Sequence, residues 1–403
     1  MADKKHSRTV TPGGPAAIKI CFFSSVASFD TGMPICTYKL VKHFSEQAGY
    51  DAHAVFPERG EFVDRLMGAA VTVSIIPFSR MRSLKRGAAF LRFCIGLPVA
   101  MLRMVRFMRS ERFAIVHFSD LIDAPFYLCA AVAGARVVAH VRQNLDGRAQ
   151  RLLFGWWSGL FVDIAVCISR AVRRSVRLSE AHVAVVYDPG PDRSLFDPLR
   201  SYPAFPALDK NKLLVVGIAK FLQVKGHEHF VRMAAAAERK LPGRLLYVIV
   251  GDREPGHERY YEAVTGLIVR MGLEGLVVVM GQLPHEEIPA LLSRTAILAH
   301  LPNYQEGLGG VILEAMTMAV PVVVFDSGGA GECFVDGEHG FLVKHHDDNE
   351  AANKVVLLAS DAALRRKMGL AAQKHAGLAF SYEKHFAGIE TVYRSLVPGA
   401  STA

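Results

Sequence analysis

No apolar run in this sequence of 403 residues is long enough to cross a bilayer, although 51% of the residues are apolar. With 21% of residues charged, the composition is that of a globular chain and not of a disordered one. Residues 1–16 are polar and basic, contain glycine and proline, and lack the apolar segment of a secretory signal. We therefore predict a flexible tail, residues 1–16, on a cytoplasmic protein.

Metal-binding and nucleotide-binding fingerprints are also missing. The six cysteines include no Cys-x-x-Cys pair, and most lie among apolar residues, which indicates reduced thiols in the core. His227-Glu-His229 and His345-His-Asp-Asp lack the spacing of a dedicated metal site, so we predict no metal and no cofactor. Neither G-x-G-x-x-G nor G-x-x-x-x-G-K-[ST] occurs, so the nicotinamide-binding and P-loop fingerprints are absent.

Acidic residues are scarce in the first half of the chain. Residues 1–200 contain 27 Lys and Arg against 16 Asp and Glu, a net charge of +11. Residues 201–403 contain 20 against 22, a net charge of −2. Such an asymmetry predicts an anionic partner for the first half only.

Apolar segments of strand length alternate with helix-length intervals in both halves. We predict strands at 17–23, 52–56, 71–76, 113–118 and 136–140, and again at 213–217, 245–250, 276–280, 296–300 and 320–325. This alternation is typical of parallel sheets covered on both faces. We predict an α/β fold of two doubly wound, Rossmann-like domains facing across a cleft, at residues 17–195 and 196–375, followed by a C-terminal helical segment, 376–403.

The most informative motif is a glycine-rich loop between two carboxylates, Glu306 and Glu314. Gly307-Leu308-Gly309-Gly310 leads into a short apolar helix, whose free N–H groups and dipole suit phosphate. The flanking carboxylates suit vicinal hydroxyl groups as acceptors. Because the loop follows a predicted strand of a parallel sheet, it falls where such folds bind ligands. The motif therefore predicts a site for a nucleoside diphosphate sugar; the alternative is an amphipathic helix with Glu314 in water.

Three further positions are candidate ligand contacts. Lys220 and Lys225, in the loop after the strand at 213–217, could neutralise a diphosphate or could be solvated loop lysines. Gly32 ends the first strand-to-helix loop and permits close approach of a ligand. His140 ends a strand, with Arg142 nearby, and could be either a ligand contact or a structural histidine.

Residues 80–112 form a basic amphipathic segment. They contain nine Lys and Arg and one acid, Glu111, interleaved with bulky apolar side chains. This pattern suits an anionic membrane surface, and we predict peripheral attachment to the cytoplasmic membrane face through these residues. The alternative is a core-facing helix with a basic outer face. No nucleic-acid-binding signature accompanies the segment, so we predict no nucleic acid partner.

From about residue 18 to 397 the sequence resembles the family-4 retaining glycosyltransferases of GT-B fold. The family's E-x7-E motif corresponds to Glu306 and Glu314. The other corresponding positions are Gly328-Gly329 and Glu332, the cationic pair Lys220 and Lys225, the linker Pro189-Gly-Pro-Asp192, and the shortened glycine loop Thr31-Gly32. A lysine stands at Lys220 where the family has an arginine.

The resemblance implies that the second domain binds a nucleotide-sugar donor and the first binds the acceptor. Glu306 would contact sugar hydroxyls, Glu314 the ribose, and the amides of Gly307, Leu308 and Gly309 the sugar or phosphate. Lys220, Lys225 and Glu306 are then the expected catalytic residues. The C-terminal helix would cross back to the first domain. The expected reaction is metal-independent transfer to a glycan or lipid-linked acceptor. From the basic amphipathic segment, 80–112, we predict an acceptor of bacterial cell-envelope or exopolysaccharide synthesis.

Two other functions stay open at this point. A GT-B nucleotide-sugar epimerase would convert its substrate without an acceptor. A non-catalytic subunit would retain the binding pocket and release no nucleoside diphosphate. No second acid is evident on the reacting face of the sugar, so a covalent glycosyl-enzyme intermediate, as in retaining glycosidases, is not expected.

Overall fold

The computed structural model of the chain describes residues 17–28, 32–78, 87–145, 147–203, 205 and 208–398. The first domain contains a parallel sheet of seven strands in the order β3-β2-β1-β4-β5-β6-β7. The strands are β1 (Ile18–Phe23), β2 (Tyr50–Phe56), β3 (Thr72–Ile75), β4 (Ile115–Phe118), β5 (Arg136–Val141), β6 (Ile164–Cys167) and β7 (Val183–Val185).

Within the described residues of this domain, six α-helices cover the sheet: α1 (Gly32–Glu46), α2 (Glu61–Gly68), α3 (Gly87–Glu111), α4 (Tyr127–Val132), α5 (Arg148–Phe161) and α6 (Arg170–Ser175). Successive residues of a strand point to opposite faces. Phe22 therefore packs in one apolar cluster with Phe44 of α1, whereas Phe23 packs in another with Met104 of α3 and Phe154 of α5. Burial on both faces explains why the strands read as nearly continuous apolar runs.

The second domain repeats the arrangement with six parallel strands in the order β10-β9-β8-β11-β12-β13. These are β8 (Leu213–Ile218), β9 (Leu245–Val250), β10 (Val277–Gly281), β11 (Thr295–His300), β12 (Val322–Phe325) and β13 (Gly340–Val343). Its helices are α7 (His227–Lys240), α8 (Glu258–Arg270), α9 (Ile288–Arg294), α10 (Gly310–Thr317), α11 (Asp348–Ser360) and α12 (Ala362–Ala379). The predicted fold class, two doubly wound α/β domains, is confirmed.

The last helix, α13 (Tyr382–Leu396), packs on the first domain. Its buried Ile389, Val392 and Tyr393 share an apolar cluster with Phe44. The Tyr393 hydroxyl and His117 Nδ1, on β4, form a hydrogen bond of 2.6 Å. The chain therefore passes between the two domains twice, once after β7 and once before α13.

The two chain crossings lie side by side. The amide of Gly190, in the first crossing, donates to the carbonyl of Phe380, in the second, at 2.8 Å. His385 Nδ1 and the carbonyl of Tyr187 are 2.9 Å apart, and the rings of Tyr187 and Phe380 meet edge to face. The crossings thus form one hydrogen-bonded unit instead of two independent linkers.

Across the described residues, no helix combines the length and apolar character needed to span a bilayer. Residues 1–16, predicted to be a tail, and 80–86, within the predicted membrane-binding segment, lie outside the described residues. Gly32 is the first residue of α1. The predicted domain boundaries stay predictions.

Replacing Tyr393 by alanine should destabilise the first domain by about 3–5 kcal/mol, since a fully buried aromatic ring is removed from its packing. Tyr393→Phe keeps the ring and loses one buried hydrogen bond, so it should cost about 1–3 kcal/mol. Both tryptophans, Trp156 and Trp157, lie on α5, so tryptophan fluorescence during urea unfolding reports on this domain. An unchanged urea midpoint for Tyr393→Ala would contradict the prediction.

Candidate functional site

The glycine-rich loop lies between the end of β11, at His300, and the start of α10, at Gly310. Gly309 has a φ of +94°, a left-handed conformation that favours glycine, and it immediately precedes the helix. Leu308 is buried, and its carbonyl accepts a hydrogen bond from the Cys333 thiol at 2.7 Å. The loop is therefore held in place by the buried Leu308 and by the left-handed turn at Gly309.

Glu306 is joined by its backbone to the loop after β12. Glu306 and Gly328 form an isolated parallel bridge, and the amide of Gly329 donates to the Glu306 carbonyl at 2.7 Å. Gly328 has a φ of +62°, and a Cβ there would stand 2.3 Å from the Glu306 carbonyl oxygen. Only glycine fits this position without displacement of the Glu306 backbone.

The carboxylate of Glu306 is the central charged group of the site. The residue is 8% exposed, and Lys225 Nζ stands 3.4 Å from Oε1. The same Nζ donates to the Tyr304 hydroxyl at 2.6 Å, and His300 Nε2 lies 3.6 Å from Oε2. Burial works against ionisation of Glu306, but His300, Lys225 and Tyr304 together lower its pKa from 4.5 to about 2. The carboxylate is therefore ionised at neutral pH.

One oxygen of this carboxylate is buried without a hydrogen-bond partner. Among the described residues, neither Glu306 Oε2 nor His300 Nε2 has a partner within hydrogen-bond distance. An ionised oxygen in this condition costs free energy unless a donor group reaches it. The polar group that faces this oxygen is His300 Nε2, at 3.6 Å.

Lys225 is positioned by a glycine. It ends a short 3-10 turn after β8, and Gly226, with φ of +67°, is the N-cap of α7. A Cβ at Gly226 would stand 2.1 Å from the carbonyl oxygen of Leu301, which follows β11. This close approach brings the β8 loop against the β11 loop and hence Lys225 to Glu306.

Lys220 takes a different place from Lys225. Its Nζ lies 3.4 Å from Glu254, in the loop after β9, and both side chains are partly exposed. Of the two lysines singled out in the sequence, the structure joins only Lys225 to Glu306.

Glu314 lies in the second turn of α10, half-buried, at 3.4 Å from His285 Nε2. The pKa of His285 is raised, mainly by the hydrogen bond between His285 and Glu314. His285 follows β10 and packs beside the ring of Phe196. The sequence analysis missed His285, because nothing in the motif indicates which loop lies opposite Glu314.

His140 lies at the end of β5 in a buried polar network. Its Nδ1 is 3.1 Å from His117 Nε2, and its Nε2 is 3.5 Å from Asp188 Oδ1. The other oxygen of Asp188 accepts from Arg142 Nε at 3.0 Å. Burial and the charge of Arg142 lower the pKa of His140 to about 4, so the imidazole is neutral at pH 7. Burial works against the charge on Asp188, but Arg142 and His140 hold its pKa well below the usual range.

The first domain holds the backbone of the glycine-rich loop. Asn144 Nδ2 donates to the carbonyls of Gln305 and Glu306 at 3.0 and 2.7 Å, and Ser169 Oγ donates to the Gly307 carbonyl at 2.6 Å. A Cβ at Gly307 would stand 2.4 Å from the Arg142 carbonyl oxygen. The loop that carries Glu306 is thus in direct contact with both domains.

Glu332 provides a second contact between the domains. It accepts from the amides of Arg170 and Ala171 at 2.8 and 2.7 Å, at the start of α6, and from the Tyr187 hydroxyl at 2.9 Å. Its carboxylate satisfies free N–H groups of a helix in the other domain. Nothing in the sequence paired Glu332 with α6.

Residues 200–375 match the family described as Glycosyl transferases group 1. The D-inositol 3-phosphate glycosyltransferase of Corynebacterium aurimucosum is 29% identical over 288 residues, which cover 68% of this chain and 67% of the relative. An alpha-D-kanosaminyltransferase of Streptomyces kanamyceticus is 34% identical over 158 residues, 38% of each chain. The matched segment therefore spans well under half of this second relative.

Solved structures match almost the whole chain. Anabaena HepE, in complex with UDP and glucose, superposes with a TM-score of 0.77 at 20% identity, covering 94% of this chain and 100% of that one. A glycosyltransferase of Rickettsia africae gives 0.78 at 18% identity, covering 95% and 99%. The predicted GT-B fold, two Rossmann-like domains facing each other, is confirmed.

The stability contributed by Glu306 should depend on pH in a defined direction. Because its pKa is lowered by folding, its stabilisation is complete above pH 4.5 and is lost as pH falls toward 2. The difference in unfolding free energy between the wild type and Glu306→Gln should therefore shrink by about 1 kcal/mol between pH 6 and pH 3.5. Urea unfolding followed by circular dichroism measures it, and the other titrating groups cancel in the difference. A difference that does not change over this interval would refute the lowered pKa.

Proposed function

We propose that the chain is a retaining glycosyltransferase that moves a sugar from a nucleoside diphosphate sugar to an acceptor held by the first domain. The observation that carries this proposal is the buried, ionised Glu306 beside Lys225, in the glycine-rich loop that leads into α10. The family match of the second domain and the GT-B fold support it. The acceptor we propose is a glycan or a lipid-linked glycan of bacterial cell-envelope or exopolysaccharide synthesis.

Each part of the motif has a proposed place in the donor complex. The carboxylate of Glu306 accepts from sugar hydroxyls, and Glu314, held by His285, accepts from ribose hydroxyls. The amides from Gly307 to Gly310, at the start of α10, face the sugar or the diphosphate. Because HepE binds UDP and UDP-glucose, UDP sugars are the first donors to test.

The chemical step breaks the anomeric C–O bond, and negative charge develops on the departing diphosphate. Lys225 and the amides at the start of α10 stabilise that charge, since they are fixed before the reaction by Gly226 and Gly309. Lys220 contributes from the edge of the site once it leaves Glu254. The step needs no protein nucleophile, and we propose that it needs no metal and no cofactor.

Lys225→Ala should reduce turnover about a hundred- to thousandfold, because a preorganised cation is lost where charge develops. A thermal-shift screen of nucleotide sugars first identifies the sugar donor, since a ligand that binds the folded state stabilises it. Release of nucleoside diphosphate from that sugar donor then measures turnover. Lys210→Ala, which removes an exposed lysine of the same domain, is the matched control and should leave turnover unchanged.

Two results would contradict the proposed transferase. Conversion of the nucleotide sugar to its epimer without acceptor would identify an epimerase. Binding of the nucleotide sugar with no release of nucleoside diphosphate toward any acceptor would identify a non-catalytic subunit. Turnover of Lys225→Ala equal to that of the wild type would refute the role of Lys225 while leaving the reaction class in place.

We further propose that the first domain attaches to an anionic membrane. In α3, the described part of the predicted basic segment, exposed apolar side chains follow one face: Leu91, Ile95, Val99 and Leu102. Arg106 and Arg109 continue the same face toward the end of the helix. Exposed apolar side chains beside arginines suit the boundary between acyl chains and anionic headgroups.

A second helix on the same side of the sheet extends this surface. α5 exposes Leu152, Leu153, Trp156 and Leu160, and α4, which contacts both α3 and α5, exposes Val132 between them. Trp156 is 64% exposed, and tryptophan is favoured at membrane interfaces. The α5 face was not predicted from the sequence because residues 148–161 contain only two charged residues, Arg148 and Arg151.

Removing the exposed apolar groups should weaken binding to vesicles. Ile95→Ser and Trp156→Ser should each lower the partition coefficient about tenfold, since each removes a side chain that would be buried in lipid. Flotation with vesicles of 30% phosphatidylglycerol in phosphatidylcholine measures it, and Leu378→Ser, on the exposed face of α12, is the control. Absence of wild-type binding to these vesicles at low salt would refute membrane attachment.

A further inference from the structure

A cavity of about 360 Å³ lies between the two domains, beside the loop that carries Glu306. Asn144, Arg151 and Arg174 line it from the first domain, and Gln305, Asp326 and Gly328 line it from the second. Neither Lys225 nor Glu306 is among its lining residues. The cavity is thus next to the proposed donor site and separate from it.

The position of this cavity links it to the reacting sugar. Gln305 directly precedes Glu306, and Gly328 is paired with Glu306 in the parallel bridge. Asn144 lines the cavity and also holds the carbonyls of Gln305 and Glu306. A molecule in this cavity would lie against the backbone of the loop whose side chain we assign to the sugar donor.

Two arginines give the cavity its charge. Arg151, on α5, is half-buried and is held by a hydrogen bond from its Nε to the Leu145 carbonyl. No other hydrogen bond or ion pair of Arg151 occurs within the described part of the chain, and none of Arg174, on α6. Their terminal N–H groups are therefore available to a ligand. Asp326 is the one acidic residue among the lining residues and is exposed.

We propose that this cavity binds a phosphate group of the acceptor, with Arg151 and Arg174 as its ligands. This inference rests on the proposed transferase function and names the class of acceptor: a phosphate ester. A phosphate carries up to two charges on three terminal oxygens, which two guanidinium groups from different helices can bind together. The Oδ1 atom of Asn144 and the carboxylate of Asp326 then remain for hydroxyl groups of the same molecule.

The two arginines do not belong to the site that we assign to the donor diphosphate. The groups we assign to the diphosphate, Lys225 and the start of α10, belong to the second domain. Arg151 and Arg174 belong to the first domain and line a different cavity. A phosphate bound there accordingly belongs to a second substrate.

The test measures binding of phosphate esters by phosphorus NMR line broadening, with UDP present at saturation to fill the donor site. Two probes distinguish the source of the phosphate: sn-glycerol 3-phosphate for a soluble acceptor, and monomeric dihexanoyl phosphatidic acid for a lipid. At least one should bind, and Arg174→Gln and Arg151→Gln/Arg174→Gln should weaken that binding about tenfold or more. Arg174 is exposed, so its single variant tests the proposal even if the double variant is poorly folded.

The controls separate this site from other sites. Arg148→Gln removes an exposed arginine of α5 that does not line the cavity, and it should leave binding unchanged. Binding should be the same with and without UDP; loss of binding when UDP is added would place the phosphate in the donor site and overturn the proposal. Binding of neither probe, or equal binding by the wild type and Arg174→Gln, would overturn it too. UDP binding by the arginine variants should be normal, so this result is independent of the donor-site proposal.

Discussion

The buried charge of Glu306 is the constraint on which the site depends. An ionised carboxylate with 8% exposure is stable only if cations and hydrogen-bond donors reach it, and the chain supplies them from two strand ends. Lys225 comes from the β8 loop, and His300 and Tyr304 come from β11 and the loop after it. Gly226 and Gly328 permit the close backbone contacts that this convergence requires. These glycines therefore help to stabilise the charge of Glu306, in addition to any contact they make with a ligand.

The same loop also fastens the two domains together. Its carbonyls accept from Asn144 and Ser169, its Gly307 lies directly against the Arg142 backbone, and Glu332 holds the start of α6. These contacts bring the first domain and the second domain to one short stretch of backbone. Changes in the relative position of the domains must therefore act on the loop that carries Glu306.

Much of this arrangement could be predicted from the sequence, because its signals are local. Strands β8 to β12 are apolar runs, and Glu306 and the glycine-rich loop fall after β11 as a doubly wound sheet requires. The short strands β6, β7 and β13 were not predicted, since three or four residues carry little periodicity. Partners distant in the chain were missed for a different reason: His285 beside Glu314, and Asn144 and Ser169 beside the loop, are brought there only by packing of the domains. The individual site roles remain proposals.

The paired chain crossings determine how the domains can move. The two crossing segments are hydrogen-bonded to each other at Gly190 and Phe380. Together they resist twisting and sliding of the domains more than a single linker does. We therefore expect relative motion of the domains to be mainly rotation about an axis near these crossings. Points far from the axis then travel furthest, so the mouth of the cleft opposite the crossings should widen most. Exchange of large substrates would follow that rotation, while the residues around Tyr187 and His385 stay almost still.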